Sequence, residues 1–171
     1  MSQRDEEELQ RTRETLQETM NFLGAVAAGL EDAVGESAKS ITYLAGKNLG
    51  HRVCVGARRT NDVEEALVEL RRVLKENGCL WTFDRFYSKA SRSTSAQEGA
   101  DEVLLVFRDC MIRQALFSYG HPQKGSLCNM MFGFFAGALQ NVMGRESTLE
   151  IVHSGENACY KRLIIKNREE A

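Results

Sequence analysis

Apolar residues in the first 35 positions fall at helical spacing. Leu9, Leu16, Leu23 and Leu30 recur every seven residues, with Met20, Val26, Ala27, Ala33 and Val34 between them. A seven-residue repeat keeps one stripe nearly aligned along a helix, so this stripe requires a cover. Docking on its own domain is the plainer arrangement, and a helix-mediated homodimer the sharper one. Thr12 and Arg13 stand where a coiled coil wants an apolar side chain. Gly24, Gly29 and Gly35 predict a kink or break after the charged opening. A second helix is predicted over Ser37–Val53, where Gly46 and Gly50 lie four apart and open one face to close approach by another backbone. A third has Asn61 or Asp62 as cap, Glu64 and Glu65 at its positive end, and Asn77-Gly78 as stop. Val63, Ala66, Leu67, Leu70, Val73 and Leu74 keep its period.

The pattern then changes. Residues 79–87, rich in aromatics, and the run 103–107 predict strands. The small and polar stretch 88–101 between them predicts a mobile surface connection. A short helix over 111–119 and a turn over 120–125 follow. From Ser126 to about Met143 the chain is apolar on nearly every side, which predicts a central, buried helix with a small-residue groove at Gly133 and Gly137. Residues 147–153 and 159–165 read as two strands joined by a turn at 154–157. These elements describe a mixed α/β (α+β) single domain, with several helices packed on a small antiparallel sheet. Its parts are an N-terminal helical segment (1–35), the body (36–166) and a tail (167–171).

Composition narrows the function classes. At 171 residues, 43% hydrophobic and 27% charged, the chain can bury a sizeable core without disulfides. A formal net charge of −2 argues against a protein built to hold nucleic acid, which requires a concentrated cationic face. The basic pairs Arg58–Arg59, Arg71–Arg72 and Lys161–Arg162 read as solvated edges. No run approaches the roughly 18 apolar residues that cross a bilayer, and the acidic N-terminus is unlike a signal peptide. A cytoplasmic setting is therefore expected. The five cysteines form no compact pattern.

The chemistry concentrates between Cys128 and Cys159. Cys128 opens the buried helix, Glu150 and His153 end one strand, and Cys159 opens the next. Thiolates and imidazole are the ligands zinc prefers, although such spacing alone is more often a buried thiol and a hydrogen-bonded histidine. In a regular strand Glu150 and His153 point to opposite faces, so both serve one metal only if the strand ends or bulges between them. Cys110 is an alternate fourth ligand. His51 and Cys54 share a helix face, yet no third group orients them as a nucleophilic pair.

Residues 128–139, then 149–155, then Ala158-Cys159 together resemble the C-terminal half of the 4-vinyl reductase (4VR) domain family. The features shared are a cysteine leading a glycine-bearing helix, a Glu-x-x-Cys (or His) strand end, and a cysteine opening the last strand. Residues 45–50 resemble the family's upstream glycine-bearing helix. The resemblance implies a hydrocarbon-binding domain with a fold similar to vesicle-tethering TRAPP subunits. Members include sensor domains of aromatic-responsive regulators and proteins encoded with pigment-biosynthesis genes. In the sensor domains zinc is held by Cys, Glu, Cys and Cys, which correspond here to Cys128, Glu150, His153 and Cys159; histidine at 153 is the departure. A structural zinc clamping the C-terminal hairpin is the expectation.

The resemblance also implies a pocket for a small hydrophobic (aromatic, hydrocarbon or tetrapyrrole-like) ligand, with Trp81, Phe83, Phe86, Phe107, Phe117, Met130, Phe134 and Phe135 as candidate lining; without the resemblance these residues read as core. A homodimer is expected. The alternatives are an enzyme or accessory protein of tetrapyrrole pigment synthesis that reduces a vinyl group, and a ligand-free assembly scaffold. Vinyl reduction needs a hydride donor, and the sequence carries no nicotinamide or flavin fingerprint. Binding is thus favoured over catalysis.

Overall fold

The computed structural model describes residues 3–79, 81–87, 100–108, 110, 112, 113, 116, 124–155 and 158–167. Its helices are α1 (Gln3–Val34), α2 (Ser37–Val53), α3 (Val63–Glu76) and α4 (Ser126–Met143). Its strands are β1 (Asp84–Arg85), β2 (Ala100–Phe107), β3 (Ser147–Ser154) and β4 (Cys159–Lys166), in one antiparallel sheet of order β1-β2-β4-β3. The mixed α/β class expected from the pattern is what the chain adopts.

Four glycines lock α2 onto α4. A methyl group at Gly46 would collide with the Met130 carbonyl, and one at Gly50 with the Phe134 carbonyl. Reciprocally, side chains at Gly133 and Gly137 would strike the carbonyls of Tyr43 and Lys47. Each small-residue face seen in the sequence is the other's partner, and two backbones meet where side chains normally intervene.

α1 runs unbroken through Gly24 and Gly29, and the chain turns at Gly35, whose φ of 57° suits glycine. Its buried face is Met20, Gly24 and Ala27, with Glu31 half-buried. The leucine stripe is not the docked face: Leu9, Leu16 and Leu23 remain 42%, 39% and 43% exposed. Docking on its own domain therefore covers only the second half of α1, through small residues that allow closer approach than leucine.

α3 starts as expected, with Asp62 Oδ1 accepting the Glu65 N–H at 2.9 Å. On its inner face Glu69 is buried and accepts the Arg58 N–H at 2.7 Å and the Arg72 guanidinium at 2.6 Å. These bonds hold its carboxyl down at about 2, the arginine contribution being the larger.

The sheet departs from expectation at one edge. The strand predicted over 79–87 shrinks to Asp84 and Arg85, which pair with Val106 and Leu105. Trp81 and Phe83 instead dock against phenylalanine rings of α4. β2 begins at Ala100, so the surface connection predicted to reach 101 ends earlier; residues 88–99 lie outside the described residues. Of the short helix predicted over 111–119, Ile112, Arg113 and Leu116 are helical, and the rest lies outside them, as does most of the turn at 120–125. Strand alternation aims Val103, Leu105 and Phe107 of β2, and Cys159, Lys161, Leu163 and Ile165 of β4, inward against α4.

Candidate ligand and thiol site

The N-terminal turn of α4, the end of β2 and the start of β4 converge. Cys128 and Met131 share one face of α4 at helical spacing, Cys110 follows β2, and Cys159 opens β4 opposite Phe107. These three cysteines, all buried and unpaired, line one cavity together with Met131, Arg113 and Lys161. Its volume is about 10 Å³. That is room for about one water-sized particle.

The residues proposed for zinc divide into two groups. β3 carries a bulge between Ile151 and His153, the irregularity that the sequence spacing demanded. Glu150, Val152 and His153 are nevertheless exposed, while Leu149 is buried and Ile151 half-buried. The fold thus brings Cys128 and Cys159 together, adds the alternate Cys110, and leaves Glu150 and His153 on the outside. Among the described residues no group of three or more His, Cys, Asp or Glu side chains is placed to hold a metal ion. The sulfur donors suit zinc, but the Lys161 ammonium faces the same space, and two cations repel there.

Burial raises the Cys128 thiol above its ordinary value, with the charge of Lys161 pulling the other way. Burial likewise pushes Cys54 up to about 11, helped by Glu69. His51 is committed elsewhere: its Nδ1 lies 3.1 Å from Asn141 Oδ1, and Asn141 Nδ2 donates to the His51 carbonyl at 2.6 Å.

Of the candidate pocket residues, Phe83, Phe107 and Phe135 form a triangle of rings with centroids 5.5 Å apart. Trp81 meets Phe134 edge-on at 5.3 Å, and Phe134 meets Phe135 at 6.1 Å. As the structure stands, these rings fill the core. Phe86 is elsewhere, packed on Tyr160, which alternates with Cys159 and Lys161 and so belongs to the opposite sheet face. The Met130 carbonyl abuts Gly46 on the α2 side, leaving its neighbour Met131 to face the sheet. Phe117 lies outside the described residues.

Lys161 was read as part of a solvated basic pair, and this is corrected: it is only 2% exposed. Its Nζ donates to Met131 Sδ at 2.7 Å and lies 4.6 and 5.2 Å from the ring centres of Phe107 and Phe132. The period-two run Cys159, Lys161, Leu163, Ile165 was the signal that placed it inward. Arg162, its neighbour, points the other way and pairs with Glu102 at 3.2 Å. Arg58, Arg59, Arg71 and Arg72 are exposed, as expected.

A second cavity, a cleft of about 200 Å³, separates α1 from the start of α4 and is lined by Gly24, Ala27, Glu31, Asp32 and Leu127 among others. Among the described residues, neither cavity has an aromatic ring in its lining. No described helix is long and apolar enough to cross a membrane.

With this geometry in place, comparison with known proteins is informative about fold. No family model matches the sequence, and no curated protein matches it either. Among solved structures, the chain resembles the phenol-responsive sensory domain of the transcription activator PoxR, solved with phenol. The TM-score is 0.60 at 16% identity, over 86% of this chain and 74% of that one. The two share a fold. The PoxR domain is one that senses a small aromatic molecule.

Proposed function

We propose that this domain binds a small apolar molecule, an aromatic or other hydrocarbon body, between α4 and the inner face of the sheet. The observation that carries the reading is the buried ring cluster of Phe83, Phe107, Phe134 and Phe135, with half-buried Trp81 against it, near a small cavity, on a fold shared with a phenol-responsive domain. Aromatic walls with a few polar groups are what such ligands require. The cavity is far below the roughly 150 Å³ of an apolar cavity that admits benzene. Binding therefore displaces side chains, and Met131, unbranched and flexible, is the one best able to give way. Occupancy is read out as a change in the packing of α4 on the sheet.

Native mass spectrometry of the purified protein, and calorimetric titration with toluene and phenol, test the reading. A retained organic mass or saturable binding supports it. Absence of both, at ligand concentrations approaching solubility, contradicts it.

A zinc ion on the same thiols is the second reading, favoured by the shared cavity of Cys110, Cys128 and Cys159. In that case Glu150 and His153 would have to turn inward, or Cys110 would replace one of them. Metal analysis of the intact protein and of Cys159→Ser tests it: stoichiometric zinc lost in the variant supports the clamp, and metal-free intact protein rejects it. Dimerisation through the exposed face of α1 completes the proposal, because Leu9, Leu16, Leu23 and Phe22 are left uncovered in one chain.

A further inference from the structure

We infer that the ligand carries an acidic oxygen, and that Lys161 together with Arg113 receives it. This rests on the small-ligand reading and names the chemical class it selects, an apolar body bearing a carboxylate or phenolate. Two cationic side chains line the thiol cavity, Lys161 at 2% and Arg113 at 7% exposure, and among the described residues no carboxylate lines it. A buried charge without a counter-charge is strongly disfavoured unless the site's function supplies the partner.

Lys161 has three ammonium hydrogens and, among the described residues, meets one weak acceptor, Met131 Sδ at 2.7 Å, with the faces of Phe107 and Phe132 around it. Arg113 is held in place by two carbonyls, donating from Nη1 to Gly155 at 3.1 Å and from Nη2 to Arg108 at 2.9 Å. Its Nε is buried without a hydrogen-bond partner. The cavity therefore presents unfilled donors and positive charge, and the rings of Phe107 and Phe132 lie behind Lys161 rather than in the cavity wall. An oxyanion on a ring satisfies both at once, with the oxygen on Lys161 and the ring among Phe107 and its neighbours. A divalent metal satisfies neither cation.

The experiment titrates wild-type protein with benzoate, phenol and toluene near neutral pH, followed by calorimetry and by the fluorescence of the single tryptophan, Trp81. A charge-assisted hydrogen bond in such a site predicts benzoate binding at least about tenfold tighter than toluene. In Lys161→Met, whose folding is checked by its thermal melt, that preference falls to about twofold or less while toluene binding persists. If Lys161→Met does not fold, Arg113→Gln gives the second measurement, with a partial loss of the same preference. Equal affinity of wild-type protein for toluene and benzoate overturns the inference and leaves the small-ligand reading standing. Failure of all three probes to bind overturns both. Stoichiometric zinc on the cysteines of the isolated protein also overturns it, because the metal would take the place beside Lys161 that the oxyanion needs.

Discussion

The carboxylate of Glu31 on α1 accepts the backbone N–H of Ser126, the first residue of α4, at 2.6 Å across 95 positions of sequence. α4 has no side-chain cap of its own, since Gly125 precedes it, and Glu31 supplies one from another helix. A negative group at this positive helix end is favourable electrostatically as well. The same turn carries Cys128, so α1 helps to position the candidate site. Glu31→Ala should cost about 1 kcal/mol, as loss of an N-cap does. Denaturant unfolding checks this, and an unchanged midpoint would mean that the cap is not made in solution.

The α2–α4 contact leaves no space for a single methyl. Gly46→Ala and Gly133→Ala each push a Cβ into a backbone carbonyl, which cannot rotate away. Losses of about 3 kcal/mol or more are expected, at the upper end of overpacking effects. Gly56→Ala is the control, because nothing lies within 4 Å of its added carbon. Thermal melts of the three variants should separate the first two clearly from the third.

Glu69 gives the fold an acid sensitivity. Its folded value of about 2 lies below the ordinary 4.5 because the Arg72 guanidinium and the Arg58 N–H bind the ionised form. A depressed carboxyl contributes stability that is present above its ordinary value and lost as pH falls toward the folded one. Glu69→Gln should therefore destabilise the protein by on the order of 2 kcal/mol near neutral pH, and the gap should narrow by about pH 3. Urea titrations at both conditions measure it. A gap that does not vary with pH would assign the effect to shape alone.

The exposed leucines of α1 predict self-association. Leu16→Lys places a charge in the middle of the stripe and should shift the protein toward monomer without lowering its melting temperature by more than a degree or two. Light scattering after gel filtration reads the mass. A monomeric wild-type protein would remove the second copy as the cover for this face.

Much of this architecture was legible in the residues. α3 starts at the cap residue Asp62, α2 and α4 span the ranges their apolar pattern gave, and the glycine pairs announced a close helix contact, because backbone approach has few other signatures. The Cys128–Cys159 proximity was also visible, through the resemblance. What the sequence concealed is directional. The leucine stripe of α1 looks like the docking face until tertiary packing selects the smaller one, Met20–Gly24–Ala27, instead. Aromatic-rich residues 79–87 have strand propensity, yet Trp81 and Phe83 gain more by burying rings against α4 than by extending a ladder. The charge of Lys161 masks its place in the buried alternation. Alternation along β4 aimed it inward.

The central claim is that a small apolar molecule occupies the space between α4 and the inner sheet face. The most direct measurement is a set of intermolecular nuclear Overhauser contacts between protonated toluene and the protein. Contacts from toluene to the Met131 methyl and to the rings of Phe107 and Phe135 are the predicted result. Contacts confined to Ala27 and Leu127 in the α1 cleft, or none at saturating toluene, would contradict it.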